Sequence, residues 1–393
     1  MGLSADEALE TISKMDSLKQ KNKETNEEKV EEERLFVASQ WQLIRWKFLR
    51  HKLAMGALAV LAVFYFFAIF AEFISPYDPL AYDVNYVNAP PQRVHFFDEE
   101  GKFHLRPFVY KLTGELDMKT LLTSYSQDKT MKYPLYLFTK GDSYELWGLF
   151  KSNIHLFGTR DGKALIFGAD KLGRDMLSRV IYGGRLSLSV GLLGIAISFI
   201  LGITIGGASG YYGGYVDVII QRIIEFIRSI PTLPLWMALS MALPPYWSVV
   251  KVYFGIVLIL SLVGWTGLAR VVRGKFMSLK EEDFVMAASL HGASQPRIIF
   301  KHLLPSFYSY IIASLTLSVP GMILGETGLS FLGLGLQPPA ISWGVLLSDS
   351  QSIRVLAQTP WTLIPGIFVI VTVLAFNFLG DGIRDAADPY STI

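Results

Sequence analysis

Long blocks of apolar residues constrain the fold of this chain more than any other feature of its sequence. Of its 393 residues 51% are hydrophobic, and they are collected in blocks rather than spread at the spacing of a soluble core. A helix needs about 20 apolar residues to cross the bilayer core. Five or six blocks approach this length, at residues 53–74, 186–208, 219–243, 253–268, 308–324 and 361–379. None alternates with period two, so the sequence predicts a mainly α, polytopic membrane protein with about six transmembrane helices.

Two of these blocks are less regular than the others. Pro231 and Pro234 interrupt the third, and the fourth is short. The first block begins after a charged segment of about fifty residues, which is unlike the short basic region of a cleavable signal peptide. We therefore expect the first block to be a membrane anchor.

Basic residues flanking the blocks predict the orientation. Arg45, Lys47, Arg50 and Lys52 precede the first block, which favours a cytoplasmic N-terminus. With six spans, the basic segment 270–301 and the C-terminus fall on that same side. The long segment 75–185 falls outside. The sequence thus predicts a multi-pass protein with both termini in the cytoplasm.

Composition divides the chain into five parts. We predict a charged cytoplasmic tail at 1–40, an anchor helix at 41–75, an extracytoplasmic insert at 76–183, a five-helix core at 184–385 and a short cytoplasmic tail at 386–393. The insert carries alternating aromatic stretches separated by Gly141-Asp142, which indicates strands and a turn. Its aromatic residues form either a packed core or a docking face for a soluble partner.

The sequence carries no pattern typical of an enzyme. It lacks the nucleophile elbow, the zinc-protease helix motif and the phosphate-binding loop, and it has no cysteine. His95, His104 and His155 do not have metal-ligand spacing. We therefore predict no catalytic, cofactor or metal residues on this chain. If the protein moves a solute uphill, the energy must come from another chain.

The loop at 276–305, between the fourth and fifth blocks, has the richest local pattern. Ser278 and Glu281 have the spacing of a capping box and predict the start of a helix. Gly292 is placed to end that helix, and Ser294 with Pro296 to begin a second one. Two short helices joined by glycine would form a rigid projection for another protein to grip. From the residues alone, a simple connecting loop is an equal alternative.

Recognisable motifs add to this reading. Ala287-Ala288-x-x-x-Gly292, followed by His302-Leu-Leu304-Pro305, resembles the EAA loop of ABC importer permeases, which forms a coupling helix that inserts into a groove on the cytoplasmic ATPase. Met286 stands at the family's Glu position, which commonly varies in the oligopeptide/dipeptide/nickel branch. The resemblance assigns ATPase coupling to Met286, Ala287, Ala288, Gly292, Ala293, Leu304 and Pro305.

Further stretches resemble the C-type permease of that branch. They lie at residues 41–53, 75–79, 168–179, 210–214, 326–339 and 376–385. The resemblance covers about 45–90 and 165–390. Residues 91–167 depart from it, because ordinary members have a short loop there, and this leaves oligopeptide and oligosaccharide cargo both open.

The resemblance also implies the partners and the location. It implies a type I ABC importer fold in a bacterial inner membrane and a homologous second permease that completes the translocation path. Two ABC ATPase subunits would carry ATP and Mg, and an extracytoplasmic binding protein would deliver the ligand. The resemblance implies no cofactor on this chain. An ATP-independent carrier or channel is the competing class, and it would need ionisable residues across the middle of the spans.

Acidic and small residues near the spans give the remaining candidates. Glu326, with Ser330 and Phe331 beside it, lies near the end of the fifth block, where an acid is costly unless it is paired or hydrated. It either lines the path or, as we favour, holds the loop 328–339 in place. Before the second block, Asp170, Arg174 and Asp175 favour an ion-paired collar over substrate ligands.

Glycines recur at four-residue steps along the second block. Gly202, Gly206 and Gly210 give a spacing that lets two helix backbones approach closely. We interpret this stripe as ordinary packing within the chain rather than as a dimer face.

Overall fold

The computed structural model describes residues 40–118 and 122–388, so nearly all of the predicted charged tail and most of the C-terminal tail lie outside the described residues. The helices are α1 Gln40–Arg50, α2 Lys52–Ile69, α3 Ala71–Ile74, α4 Met176–Tyr212, α5 Gly214–Ser229, α6 Thr232–Met241, α7 Val249–Leu279, α8 Asp283–Leu290, α9 Gln295–Arg297, α10 Tyr308–Phe331, α11 Trp343–Ser348, α12 Ile353–Gln358 and α13 Ile364–Ala387. The strands are β1 His95–Phe97, β2 Phe103–Asp117, β3 Leu122–Leu146 and β4 Phe150–Thr159.

Five helical stretches within the described residues are long and apolar enough to cross a bilayer. They contain α2, α4, α7, α10 and α13. The fourth of these runs without interruption from Gln295 to Phe331. A π-helical segment at Ile298–Leu303 and a 3-10 turn at Leu304–Phe307 lead directly into α10. These stretches confirm the predicted mainly α membrane protein.

The third predicted span consists of two helices rather than one. The chain breaks at Ile230-Pro231, where proline cannot donate a helical hydrogen bond, and this separates α5 from α6. Arg273, near the end of α7, forms an ion pair with Asp217 of α5. Leu243, just after α6, contacts Gly255 near the start of α7. The α5–α6 pair therefore runs antiparallel to α7 along most of its length.

The membrane helices extend beyond the apolar blocks that predict them. The fourth block, 253–268, corresponds to the 31 residues of α7, and the second, 186–208, to the 37 residues of α4. Hydropathy falls where Arg270, Arg273 and Lys275 begin, but arginine and lysine are good helix formers and the backbone continues. The short predicted length of the fourth span was therefore wrong.

The glycines of α4 form its contact with α7. A Cβ atom at Gly206 would lie 2.4 Å from the carbonyl oxygen of Ala269, and one at Gly210 would lie 2.6 Å from that of Arg273. Gly202 packs against the same helix. Such distances leave no room for any side chain, so the stripe packs within the chain, as predicted.

The insert between α3 and α4 is a four-stranded antiparallel sheet in the order β1-β2-β3-β4. β3 pairs with β2 along its first half and with β4 along its second half. Phe108 and Tyr110 are buried, whereas Phe97, Phe103 and Phe150 are exposed. The sheet thus has both buried and exposed aromatic residues.

We predict that Gly206→Ala destabilises the protein, because the new methyl group overlaps the backbone of α7. Overpacking of this kind costs about 1–3 kcal/mol. Gly274→Ala, on α7, is the matched control, because nothing lies within 4 Å of its Cβ position and alanine in a helix is favoured over glycine by about 0.5–1 kcal/mol. Thermal unfolding in detergent measures both. Equal melting temperatures for the two variants would contradict the assigned packing.

Candidate functional site

The loop between α7 and α10 begins later than the sequence predicts. Ser278 lies in the last turn of α7, and α8 begins at Asp283 without a side-chain cap. The capping-box prediction at Ser278 was therefore wrong. Phe276 is fully buried against Gly207 of α4, and the helical turn that carries this contact continues to Leu279. Tertiary packing outweighs the local capping signal here.

Gly292 ends α8 as predicted. Its φ of +76° lies in the left-handed region. The Gly292 amide donates to the carbonyl oxygen of Ser289 at 3.0 Å, and the Ala293 amide donates to that of Ala288 at 3.1 Å. Ser294 then precedes α9, with a proline in its first turn. The loop is therefore two short helices joined by a glycine turn, as predicted.

One side of this loop is buried against the membrane helices. Val285, Ile298 and Leu304 are buried, and Ala288 and Ala293 are half-buried. They pack in one cluster with Val272, Phe276, Phe307 and Ile311. Fixed to α7 at one end and to α10 at the other, the loop can move only together with those helices.

The opposite side of α8 is an exposed apolar surface. Met286 and Leu290 are exposed there, with 48% and 87% of their surfaces accessible. We call these two residues the α8 surface. Phe284 is also exposed, but it lies one turn before Ala288 and therefore nearer the buried side. Leu290 follows Met286 by four residues, so helical spacing could have indicated it.

The seven predicted coupling residues divide between the two sides. Leu304 belongs to the buried cluster, and Ala288 and Ala293 lie half-buried at its edge. The exposed members are Met286, Ala287, Gly292 and Pro305.

A second polar cluster lies at the other end of α10. Glu326 is fully buried, and its carboxylate accepts hydrogen bonds from Ser342 at 2.7 Å, Ser330 at 2.8 Å and Ser187 at 3.2 Å. We call these four residues the Glu326 cluster. Its members come from α4, α10 and the residue before α11, so it joins three segments of the chain.

Each serine of the Glu326 cluster also fixes a backbone amide. Ser330 accepts from Leu336 at 3.0 Å, Ser187 accepts from Trp343 at 3.0 Å, and Ser342 accepts from the first turn of α11. Every donor and acceptor of the cluster thereby contributes to holding residues 336–345 against α4 and α10.

Trp343 completes this arrangement. It is buried against Gly183 and Gly184 of α4, and its Nε1 donates to the carbonyl oxygen of Val180 at 3.0 Å. Phe331, the third candidate for the path, is half-buried at the end of α10, where its carbonyl oxygen accepts from Gln351. Ser187 and Ser342 lie far from Glu326 in sequence, and no local pattern connects them to it.

The predicted collar before α4 is only partly ion-paired. Asp170 accepts from Nε of Arg174 at 2.7 Å, and Arg179 lies 3.5 Å from the same carboxylate. Asp175 instead caps α4, where it accepts from the Ser178 amide at 2.7 Å. Burial raises the pKa of Asp175 to about 6, although hydrogen bonds from Ser178 lower it.

Two cavities open at opposite ends of α10. One of about 350 Å³ lies between the α6–α7 turn and residues 333–339. The other, of about 630 Å³, lies beside the start of α10, where Lys275, Arg384 and the hydroxyls of Ser306, Ser309 and Ser314 line it. Both ends of α10 therefore border open volume.

Two stretches of the chain, one at its N-terminal helices and one in the helical core, match known protein families. Residues 198–391 match the family described as binding-protein-dependent transport system inner membrane component. Residues 39–91 match the N-terminal TM domain of oligopeptide transport permease C.

Relatives from three bacteria show the extent of the likeness. The dipeptide transport system permease protein DppC of Bacillus subtilis is 42% identical over 224 residues, which are 57% of this chain and 68% of the relative. The oligopeptide transport system permease protein OppC of Haemophilus influenzae is 43% identical over 57% of this chain and 70% of its own length. DppC of Lactococcus lactis is 34% identical over 344 residues, covering 87% of this chain and 88% of the relative.

The chain therefore belongs to the inner membrane components of binding-protein-dependent transport systems, and it is a multi-pass membrane permease subunit. Within that class it belongs to the C-type permeases of the oligopeptide and dipeptide branch.

We predict that Glu326→Ala loosens residues 336–345, because three serine hydroxyls lose their shared acceptor. Each buried polar group left unpaired costs about 1–3 kcal/mol. Hydrogen exchange should accelerate at the amides of Leu336, Trp343 and Val345. Thr316→Ala on α10 is the control, because its hydroxyl bonds only within its own helix, to Ile312. Unchanged exchange at all three amides in Glu326→Ala would contradict the bracing role of this carboxylate.

Proposed function

We propose that this chain is one half of the translocation path of an ABC importer for peptides, and that the α8 surface is where ATPase subunits engage it. The observation that carries the proposal is an exposed apolar surface on a loop fixed rigidly to two membrane helices. Exposed apolar surface of this kind indicates a protein contact. The rigid attachment makes the contact suitable for transmitting force.

We infer that ATP hydrolysis takes place on separate ATPase subunits. The sequence contains no phosphate-binding loop, so ATP and Mg would be held by two partner ABC ATPases. The exposed Met286, Ala287 and Gly292 would contact the ATPase groove. The buried or half-buried Ala288, Ala293 and Leu304 would transmit its movement to α7 and α10.

The positions of the chain ends support an orientation with both termini in the cytoplasm. Lys47 of α1 donates to the carbonyl oxygen of Asp388 at 3.0 Å, so the two described ends of the chain meet. Arg384 and Lys275 line the same cavity, which places the end of α7 beside them. Six crossings result when α5 and α6 together count as one, the others being α2, α4, α7, α10 and α13. With an even number of crossings, both ends of the chain lie on the same side. The basic residues of that side would face the cytoplasm.

Peptides are the cargo that the comparisons favour over oligosaccharides. A continuous match of 344 residues cannot fit on either side of residues 91–167, so the Lactococcus lactis relative matches across the insert. That relative is a dipeptide permease by name. The insert is therefore compatible with peptide transport and does not indicate an oligosaccharide branch. A binding protein outside the membrane would deliver the peptide, and a homologous permease would form the other half of the path.

The Glu326 cluster would serve this function as a brace rather than as a substrate ligand. Its carboxylate is fully buried and has three hydroxyl donors from this chain. Ser330 belongs to this brace, and Phe331 lies beside it. Because the brace joins α10 to α4, movement of α10 would carry residues 336–345 with it.

Affinity purification tests the proposal directly. The tagged full-length chain is expressed with its neighbouring genes, and every co-purifying chain is identified. We expect a second permease and ABC ATPase subunits. Recovery of a well-folded protein alone or as a homo-oligomer, with no ATPase in mild detergent, would overturn the importer assignment.

We predict that Leu290→Asp releases the ATPase subunits and abolishes transport without unfolding the chain. A charge at the centre of an apolar contact is left desolvated, which costs several kcal/mol. Leu105→Asp in the sheet domain is the matched control, since that leucine is 86% exposed. ATPase recovery relative to permease, measured on gels, should fall only for Leu290→Asp. Full ATPase recovery and transport in Leu290→Asp would exclude the α8 surface as the contact.

A further inference from the structure

We propose that the turn between β3 and β4 is a membrane anchor that inserts into the interface of the bilayer on the side of the sheet domain. The anchor consists of Trp147, Leu149 and Phe150, and its partner is phospholipid. This inference does not depend on the cargo or on the ATPase contact.

The first argument is the depth of the turn relative to a membrane-spanning helix. Nε1 of Trp147 donates to the carbonyl oxygen of Ile69, the last residue of α2, at 2.8 Å. Arg185 donates to the same oxygen at 3.2 Å and to that of Ala68 at 3.0 Å. These carbonyl groups have no intrahelical partner at a helix end, and here the sheet domain supplies one. The turn therefore lies level with the end of a span.

The second argument is continuity with the outward face of α2. Phe66 and Ile69 are exposed on that helix, whose apolar composition is that of a span. The ring centroids of Phe66 and Phe70 are 4.9 Å apart, and those of Phe70 and Trp147 are 5.5 Å apart. The exposed aromatic row of the span thus continues onto the sheet domain. Tryptophan is enriched at this level of a membrane, where its ring is in the interface and its N–H finds a polar partner.

The third argument is the exposure of the turn. Leu149 is 74% exposed, and Phe150 is exposed beside it. Trp147 and Gly148 both have positive φ, and the Leu149 amide donates to the carbonyl oxygen of Leu146 at 3.0 Å, so the turn is tight. Large apolar side chains left in water forgo the favourable free energy of burial. Lipid at this level would cover them.

Charges near the turn are compatible with an interfacial position. Glu145 and Lys151 lie 3.6 Å apart as an exposed pair and offset each other. Lys140, further along β3, is exposed and can extend its amine towards phosphates. The charged groups lie on the strands, and the apolar side chains occupy the turn.

The hairpin cannot move freely away from this level, because it is fixed to the end of the span. His155 of β4 is buried between the carbonyl oxygen of Ser75, at 2.5 Å, and that of Asp142, at 2.9 Å. Leu156 packs with Ile74 of α3. A soluble partner approaching the turn would meet the bilayer surface first, so lipid is the occupant that the position selects.

Single cysteine labels test the anchor, since the natural sequence contains no cysteine. Leu149→Cys and the control Leu105→Cys are each labelled with an environment-sensitive fluorophore in the full-length chain, reconstituted in lipid nanodiscs. Both positions are exposed leucines of the sheet domain. The discs are prepared with and without phospholipid brominated on its acyl chains.

We expect a blue-shifted emission and several-fold stronger quenching by brominated lipid at residue 149 than at residue 105. Water-like emission without quenching at residue 149 would overturn the proposal. A blue shift without quenching would also overturn it, since it would show cover by protein instead of lipid. Equal quenching at both positions would replace a localised anchor with a domain lying flat on the membrane.

Discussion

The close contacts along one face of α4 are the constraint on which the rest of the structure depends. On its first half α10 packs closely, since a Cβ at Gly191 would lie 2.9 Å from Val319. Further along, Gly206 and Gly210 bring the backbone of α7 into direct contact. In a bilayer, burying apolar side chains between helices contributes little free energy, because lipid is equally apolar. Close packing of the helices is therefore a main source of their association. α4 is thus the element that α7 and α10 share.

This sharing connects the two candidate sites. The Glu326 cluster includes Ser187 from the first half of α4, and the loop with the α8 surface follows the end of α7, which packs on the second half. Large side chains of the neighbouring helices pack onto the small residues of α4, as Phe276 of α7 does on Gly207 and Val319 of α10 does on Gly191. The Glu326 cluster and the Asp217–Arg273 ion pair add polar contacts between segments. α4 therefore joins the segments that carry the two candidate sites.

The sequence predicts well where the membrane helices lie, because the hydropathy that marks them depends only on the residues of each segment. It does not predict their ends, since α7 continues through Arg270 and Arg273 once the apolar block is over. The capping signal at Ser278 failed because burial of the neighbouring Phe276 kept the helix intact. Gly292 was predictable, since its conformation is local.

The candidate sites follow the same division between local and long-range information. Glu326 is recognisable from sequence because a buried acid in an apolar segment is costly. Its partner Ser187 is not recognisable, because only the folded chain brings α4 to it. The residues predicted to couple to an ATPase come from a sequence motif, but which of them face solvent depends on how the loop packs against α7 and α10. Leu290, at a position that the motif leaves unspecified, is the most exposed residue of the α8 surface.

The sheet domain could enter this fold without disturbing it, because the chain leaves and returns at one point. The Ala169 amide donates to the carbonyl oxygen of Ala89 at 2.8 Å, and the Asn88 amide donates to that of Asp170 at 2.9 Å. Gly168 has a positive φ, and its Cβ position would lie 2.7 Å from Ala89, so the two segments are in direct contact. When two chain segments are adjacent, the residues between them can lengthen with little effect on the core. Its contacts with α2 and α3, through Trp147 and Leu156, then fix the sheet domain to the end of the helical core.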